Sequence, residues 1–89
     1  MIFEWDDNKN IDNFVKHKIS FEEAQYAFLD INRIILKDEK HSNVEDRFFC
    51  IGMIDTGVVT ARFTMRKDNI RIIGAGYWRE GRKLYEKQS

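Results

Sequence analysis

The chain has no proline, five glycines and a single cysteine among its 89 residues. With proline absent and glycine this scarce, no flexible or low-complexity linker divides it, and residues 1–89 are expected to form one domain. One cysteine excludes an internal disulfide and any multi-thiolate zinc site. That residue, Cys50, lies in the apolar run Phe48-Phe49-Cys50-Ile51 and reads as a small buried hydrophobe rather than a reactive thiol. No run approaches the ~20 apolar residues of a membrane span. The opening Met1-Ile2-Phe3-Glu4-Trp5-Asp6 lacks the basic start and apolar core of a secretion signal, so a cytoplasmic location with no membrane partner is expected. Net charge is lacking too, because 15 Lys/Arg balance 15 Asp/Glu.

That balance hides a segregation. Residues 61–89 hold eight Lys/Arg against three acids, and residues 1–60 hold seven against twelve, so the two parts carry +5 and −5. A small domain sorted in this way presents a cationic face on an acidic body, and phosphate is the ligand such a face suits. The apolar share of 43%, with seven Phe, two Trp and three Tyr, supplies a modest core and argues against disorder.

Apolar spacing divides the chain into elements. Ile2 to Trp5 reads as a short strand. Asp6 or Asp7 caps a helix reaching about His17, with Ile11, Phe14 and Val15 as its buried stripe. Ser20-Phe21-Glu22-Glu23 is a capping box that starts a second helix through about Phe28. From Arg33 the period becomes two. Strands are expected at 33–37, 46–54, 58–65 and 70–77, with a polar loop at 38–45, a hairpin turn at Asp55-Thr56-Gly57 and another turn at 66–69. Arg79 to Lys87 closes the chain as a short helix. The fold class is therefore α+β: two N-terminal helices packed on one face of an antiparallel β-meander, with the other face open for function. Alternation puts Val59, Ala61, Phe63 and Met65 on the core side of one strand, and Thr60, Arg62 and Thr64 on the other. In the next strand Arg71, Ile73, Ala75 and Tyr77 are expected to share a side, and pairing can bring Arg62 and Arg71 together.

Several of these residues resemble a known family in order along nearly the whole chain. Phe3-Glu4-Trp5-Asp6, Lys16-His17, Ser20-Phe21-Glu22-Glu23-Ala24, His41-Ser42, Glu45, Arg47-Phe48, Ile51-Gly52, Thr64, Arg66, Ile70-Arg71-Ile72-Ile73 and Tyr85-Glu86 are similar to the BrnT toxins. The resemblance implies a RelE-like fold and a ribonuclease that arrests translation as the toxin of a type II toxin–antitoxin pair. It implies a BrnA-like ribbon-helix-helix antitoxin as partner, RNA as substrate, and operator DNA bound through the antitoxin. Three positions depart from the pattern. Gly74-Ala75-Gly76 stands where many members have Ser-Ala-Arg, Gly81 would loosen the last helix, and Lys18 stands where glycine usually ends the first. The competing expectation is a non-catalytic member that binds the antitoxin and helps repress an operator. A third is a small RNA- or anion-binding module.

Metal-free RNA cleavage needs a base for the ribose 2′-OH, charge stabilisation of the crowded phosphorane, and a proton for the leaving oxygen. Arginine suits the second task because its planar fork grips phosphate oxygens and stays charged. Arg66, Arg71 and Arg79 are the catalytic candidates of this type, the last (or Arg82) standing in for the missing strand-end arginine. Arg62, Lys67 and Arg82 are expected to bind RNA, with Tyr77 and Trp78 stacking on bases. His41 is the candidate proton shuttle, since an imidazole can take up and release a proton near neutral pH, or else a solvated loop histidine. Glu45 is a candidate base or an ion-pair partner of Arg47. His17 suits the end of its helix electrostatically. Tyr85 either donates a proton or packs the closing helix. Asp6, Asp7 and Asp12 fit caps and helix surface, and two separated histidines form no metal-ligand set, so no metal or other cofactor is expected.

Overall fold

Period-two alternation from residue 34 onward folds as four successive antiparallel strands. The computed structural model describes residues 1–88 and contains β1 (Ile2–Glu4), α1 (Asp7–His17), α2 (Phe21–Ala24), β2 (Ile34–Lys37), β3 (Arg47–Ile54), β4 (Gly57–Arg66), β5 (Asn69–Gly76) and α3 (Arg79–Lys87). The hairpin between β3 and β4 turns at Asp55-Thr56, and Gly57 opens β4 at φ 136°, a conformation that favours glycine.

The sheet is mixed, not a purely antiparallel meander. Its order is β1-β5-β4-β3-β2, and β1 adds to the β5 edge in parallel. The register explains why: it sets Phe3 opposite Ile70 and Glu4 opposite Arg71. Phe3 then reaches the core, edge-on to Phe28 with ring centroids 5.2 Å apart.

The helix arrangement also differs from expectation. Asp6 caps α1 by accepting from the Lys9 amide, and the Ser20–Glu23 capping box starts α2. However, α2 ends at Ala24 and continues as a 3₁₀ segment, Gln25–Leu29. This tighter coil lays Phe21, Ala24, Ala27 and Phe28 onto Cys50, Val59, Ala61 and Phe63, and that is the main core. The expected stripe of α1 is not buried: Ile11, Phe14 and Val15 are 62%, 52% and 64% exposed. The helix instead docks through a polar residue, Asn13. Its side-chain amide donates to the Ala75 carbonyl at 3.0 Å and accepts from the Ala75 amide at 3.2 Å. Because β1 pairs only with residues 69–71, the rest of the β5 edge needs such a partner, and Asn13 supplies it as a neighbouring strand would.

A bulge shifts the second half of β5. Arg62 pairs with Gly74 but Phe63 with Ile72, which leaves Ile73 unpaired. Ala75 therefore turns into the core with Ala61 rather than sharing the side of Arg71, and Gly74 and Gly76 take that side. The second face of the sheet is not fully open. Helix α3 crosses it at Gly81, whose absent side chain lets the helix backbone meet Thr60 and Ile51. Glycine here is a packing device and not a loosening of the helix. The far end of α3 is tied down by the Tyr85 hydroxyl, which donates to Asp30, so Tyr85 packs the closing helix. Burial would raise the Asp30 carboxyl, but bonds from Tyr85 and from the Met53 and Asn32 amides outweigh it and hold it below its ordinary value. The same bond to Asp30 pushes the Tyr85 phenol up, with burial adding to it. Cys50 is fully buried, and desolvation pushes its thiol up to about 12, which leaves it inert.

Candidate active site

On the face that α3 only partly covers, register aligns one residue from each of four strands. Arg47 of β3 lies opposite Thr64 of β4, Thr64 opposite Arg71 of β5, and Arg71 opposite Glu4 of β1. The Arg71 Nη1 donates to Glu4 Oε2 at 2.8 Å and the Asn69 amide donates to its other oxygen at 2.9 Å. These bonds, Asn69 first and Arg71 second, hold the Glu4 carboxyl below its ordinary value. Arg71 is thus fixed in direction, and among the described residues its side chain has no partner besides Glu4. Glu45 sits against two further arginines, 3.5 Å from Arg47 and 3.8 Å from Arg66. Four arginines (47, 62, 66 and 71) share this region with two glutamates, so positive charge is in excess.

Arg62 lies one step along β4 from Thr64, on the same side. Its guanidinium crosses the sheet over Gly74, where an added Cβ would stand 2.8 Å from its Nη2, and it rests 5.9 Å from the Trp78 ring centroid. The other neighbour of Trp78 is His17, edge-on at 6.3 Å. Glycine at 74 is therefore what seats Arg62 in the trough left on this face. The Nε atoms of both Arg47 and Arg62 are buried with no hydrogen-bond partner among the described residues. An unsatisfied buried donor costs ~1–3 kcal/mol, more when charged, so these two side chains are held in place at a cost to stability.

The loop before β3 adds an oriented histidine. Asp38 is 5% exposed, and its carboxylate lies 2.8 Å from His41 Nδ1. The loop is locked against β3: the Asp38 amide donates to the Arg47 carbonyl, the Ser42 hydroxyl to the Asp38 carbonyl, and the Arg47 amide to that hydroxyl. A carboxylate on Nδ1 fixes the ring so that Nε2 is the nitrogen left to act. His41, Glu45 and Arg47 line one groove of about 210 Å³. The histidine is neither free nor merely solvated; it is oriented.

The candidates read from sequence divide into two places. Arg62, Arg66, Arg71, His41 and Glu45 gather on the face just described. Lys67 caps its turn at φ 57°, beside Arg66. Trp78 packs against Arg62. Tyr77, Arg79 and Arg82 line a separate groove beyond the first turn of α3, with Thr56, Gly57 and Val58. Three residues of the site were missed from sequence. By spacing alone Arg47 is a partner of Glu45, Asp38 part of a loop and Glu4 part of a strand, although Glu4 and Arg47 both stand among the residues that carry the family resemblance. For Asp38 a signal existed, since an acid three residues before a loop histidine is within reach of its ring; for Glu4 spacing holds none, because its contact with Arg71 depends on a parallel pairing.

A search of the curated proteins finds no match. The model of the family described as "Ribonuclease toxin, BrnT, of type II toxin-antitoxin system" matches residues 5–81. The matched stretch covers every strand but β1, the His41 loop, all four arginines of the site, and α3 up to Gly81. Among the described residues no helix is long and apolar enough to cross a membrane.

Proposed function

This chain belongs to the BrnT family of ribonuclease toxins of type II toxin–antitoxin systems, and from that premise we propose that it is a metal-independent endoribonuclease whose active site is the arginine row with the His41 loop. The observation that carries the reading is the convergence of four arginines, in excess of the two glutamates among them, beside a histidine oriented by a buried aspartate. Phosphate oxygens answer the guanidinium donors that face solvent. Arg62, Arg66 and Arg71, joined by Arg47, hold the scissile phosphate and gain strength as charge builds on the phosphorane. Glu45 and His41 Nε2 divide the two proton transfers, one taking the 2′-OH proton as the 2′-oxygen bonds phosphorus, the other protonating the 5′-oxygen as its bond breaks. The partner antitoxin in this reading is a ribbon-helix-helix protein that covers the cationic face and carries the complex to operator DNA. RNA cleavage then arrests translation in the cytoplasm when the antitoxin is lost.

The test is induction of the chain alone in a bacterial host, with growth followed and RNA 5′ ends mapped, and incubation of purified protein with RNA in excess chelator. Arrest with new 5′ ends, and cutting that survives chelation, are expected. Removing one such donor typically costs ~10²–10³ in rate, so Arg66→Ala and Arg71→Ala should each restore growth while staying folded. Undiminished toxicity in both variants would move the active site elsewhere, and intact RNA with folded protein would leave a binding-only member.

A further inference from the structure

The groove lined by Thr56, Gly57, Val58, Tyr77, Arg79 and Arg82, of about 580 Å³, lies apart from the arginine row. Along β4, Val58, Thr60, Arg62 and Thr64 alternate onto the same side of the sheet. Gly81, in the first turn of α3, stands over Thr60, so the helix separates Val58 from Arg62. From Val58 to Thr64 is six residues, about 20 Å at ~3.4 Å per residue. The two cationic places are therefore distinct but share one side of one strand.

The groove is shaped for more than charge. The Tyr77 hydroxyl is paired with Thr56 Oγ1 at 2.6 Å, which fixes the ring, and the ring stays 41% exposed. Its edge lies 4.0 Å from the position a Cβ on Gly57 would take, so the ring closes one wall of the groove beside the turn. Arg79 and Arg82, one helical turn apart, have no ion-pair partner among the described residues. Two free guanidinium forks grip phosphates, and a fixed aromatic face stacks a base at ~1–3 kcal/mol. The volume falls within the ~300–1,000 Å³ of ligand pockets.

We propose that this groove is a second RNA subsite, which holds a single-stranded segment several nucleotides away from the phosphate on the arginine row. The proposal rests on the ribonuclease reading for the identity of its ligand. An acidic protein segment would use the arginines but leave the exposed ring face without a role, which is why RNA is favoured.

Labelled, fully 2′-O-methylated oligonucleotides, which the protein cannot cut, test it by fluorescence anisotropy across a salt series. For the dodecanucleotide, the Arg79→Ala/Arg82→Ala variant should bind at least about ten-fold more weakly, with a log–log salt slope smaller by about 1.4, two phosphates at ~0.7 each. Binding of a trinucleotide, too short to span α3, should be unchanged. Tyr77→Phe, which keeps the ring but loses its bond to Thr56, should bind the longer oligonucleotide more weakly than wild type, and Tyr77→Ala more weakly still. Equal losses on both lengths, or none on either, would overturn the subsite, with unchanged urea midpoints confirming intact folds. A variant that binds RNA normally but escapes an antitoxin would reassign the groove to protein docking. Wild-type protein that binds both lengths as described but cuts no RNA would refute the ribonuclease reading and leave the subsite standing.

Discussion

Replacing Gly81 by alanine should destabilise the protein, although alanine is the better helix former by ~1 kcal/mol. The Cβ would stand 2.1 Å from Thr60 Oγ1, whereas ordinary contact begins at 3.4 Å, so the pair must separate by the 1.3 Å difference. Neither side yields easily. Thr60 is 4% exposed and β-branched, with few rotamers open to it in a strand. The helix is tethered at its other end by Tyr85 to Asp30. Overpacking costs ~1–3 kcal/mol; a contact 1.3 Å too short puts this one in the upper part, ~2–3 kcal/mol, which less the helix gain of ~1 kcal/mol leaves a net loss of about 1–2 kcal/mol. For a domain of this size that lowers Tm by roughly 5–15 °C. A double-mutant cycle with Thr60→Ala isolates the contact. Among the described residues the buried Thr60 hydroxyl has no partner, so its loss costs little and Thr60→Ala alone should cost about the ~1 kcal/mol of the buried methyl that goes with it. With the hydroxyl gone, the nearest remaining atom, the Thr60 Cβ, lies at 3.4 Å, and the double variant should recover most of the loss. Urea denaturation of the four proteins gives the coupling, expected to be at least ~1 kcal/mol. A Gly81→Ala protein as stable as the parent, or a coupling near zero, would show that α3 does not rest on the sheet at this point.

Gly74→Ala should leave the fold nearly as stable, because the atoms it meets are the far end of the Arg62 side chain, but it should unseat that guanidinium. If Arg62 grips the scissile phosphate, RNA cleavage falls by ~10²–10³, and a variant of full activity would remove Arg62 from the site. Acid should destabilise the protein through Glu4 and Asp30, both lowered in the fold. Their contribution is complete above the carboxyl pKa of the unfolded chain, about 4, and is lost as pH falls through the folded values. Urea midpoints should accordingly drop on that side, and less steeply in Tyr85→Phe, which loses the bond that lowers Asp30; parallel curves would count against the latch. Lys18 ends α1 at φ 61°, a left-handed conformation that costs an L-residue ~1–2 kcal/mol, so Lys18→Gly should raise the unfolding free energy by several tenths of a kcal/mol or more. No gain in urea midpoint would mean that the lysine is at ease there.

Element positions were legible because each rests on local spacing. The strands at residues 34–76, the Asp6 and Ser20 caps and the closing helix fall within a residue or so of their expected limits. What was not legible depends on partners distant in sequence. Ile11, Phe14 and Val15 have the spacing of a buried stripe, yet Asn13 makes the tertiary contact, because an unpaired strand edge demands hydrogen bonds more strongly than a small helix demands cover. The parallel placement of β1 leaves no trace in three residues. The bulge at Ile73 breaks a two-residue alternation that composition alone would continue. At the site, arginines on alternate positions could be assigned to one face, whereas the partners that orient them, Glu4 for Arg71 and Gly74 for Arg62, emerge only from register.

The pairing of β1 with β5 joins residues 2–4 to residues 69–71, and Asn13 reaches Ala75 across 62 positions. Contacts this remote make folding slow relative to local helix formation. During synthesis at ~5–20 residues per second, Glu4 waits ~3–13 s before Arg71 is even polymerised. Until then β5 does not exist, Arg71 has nothing to hold it, and the row across four strands is absent. Timing thus becomes a property of the topology. If the row grips RNA as proposed, the chain is inert while its own message is being read and acquires that grip only once β5 has been made.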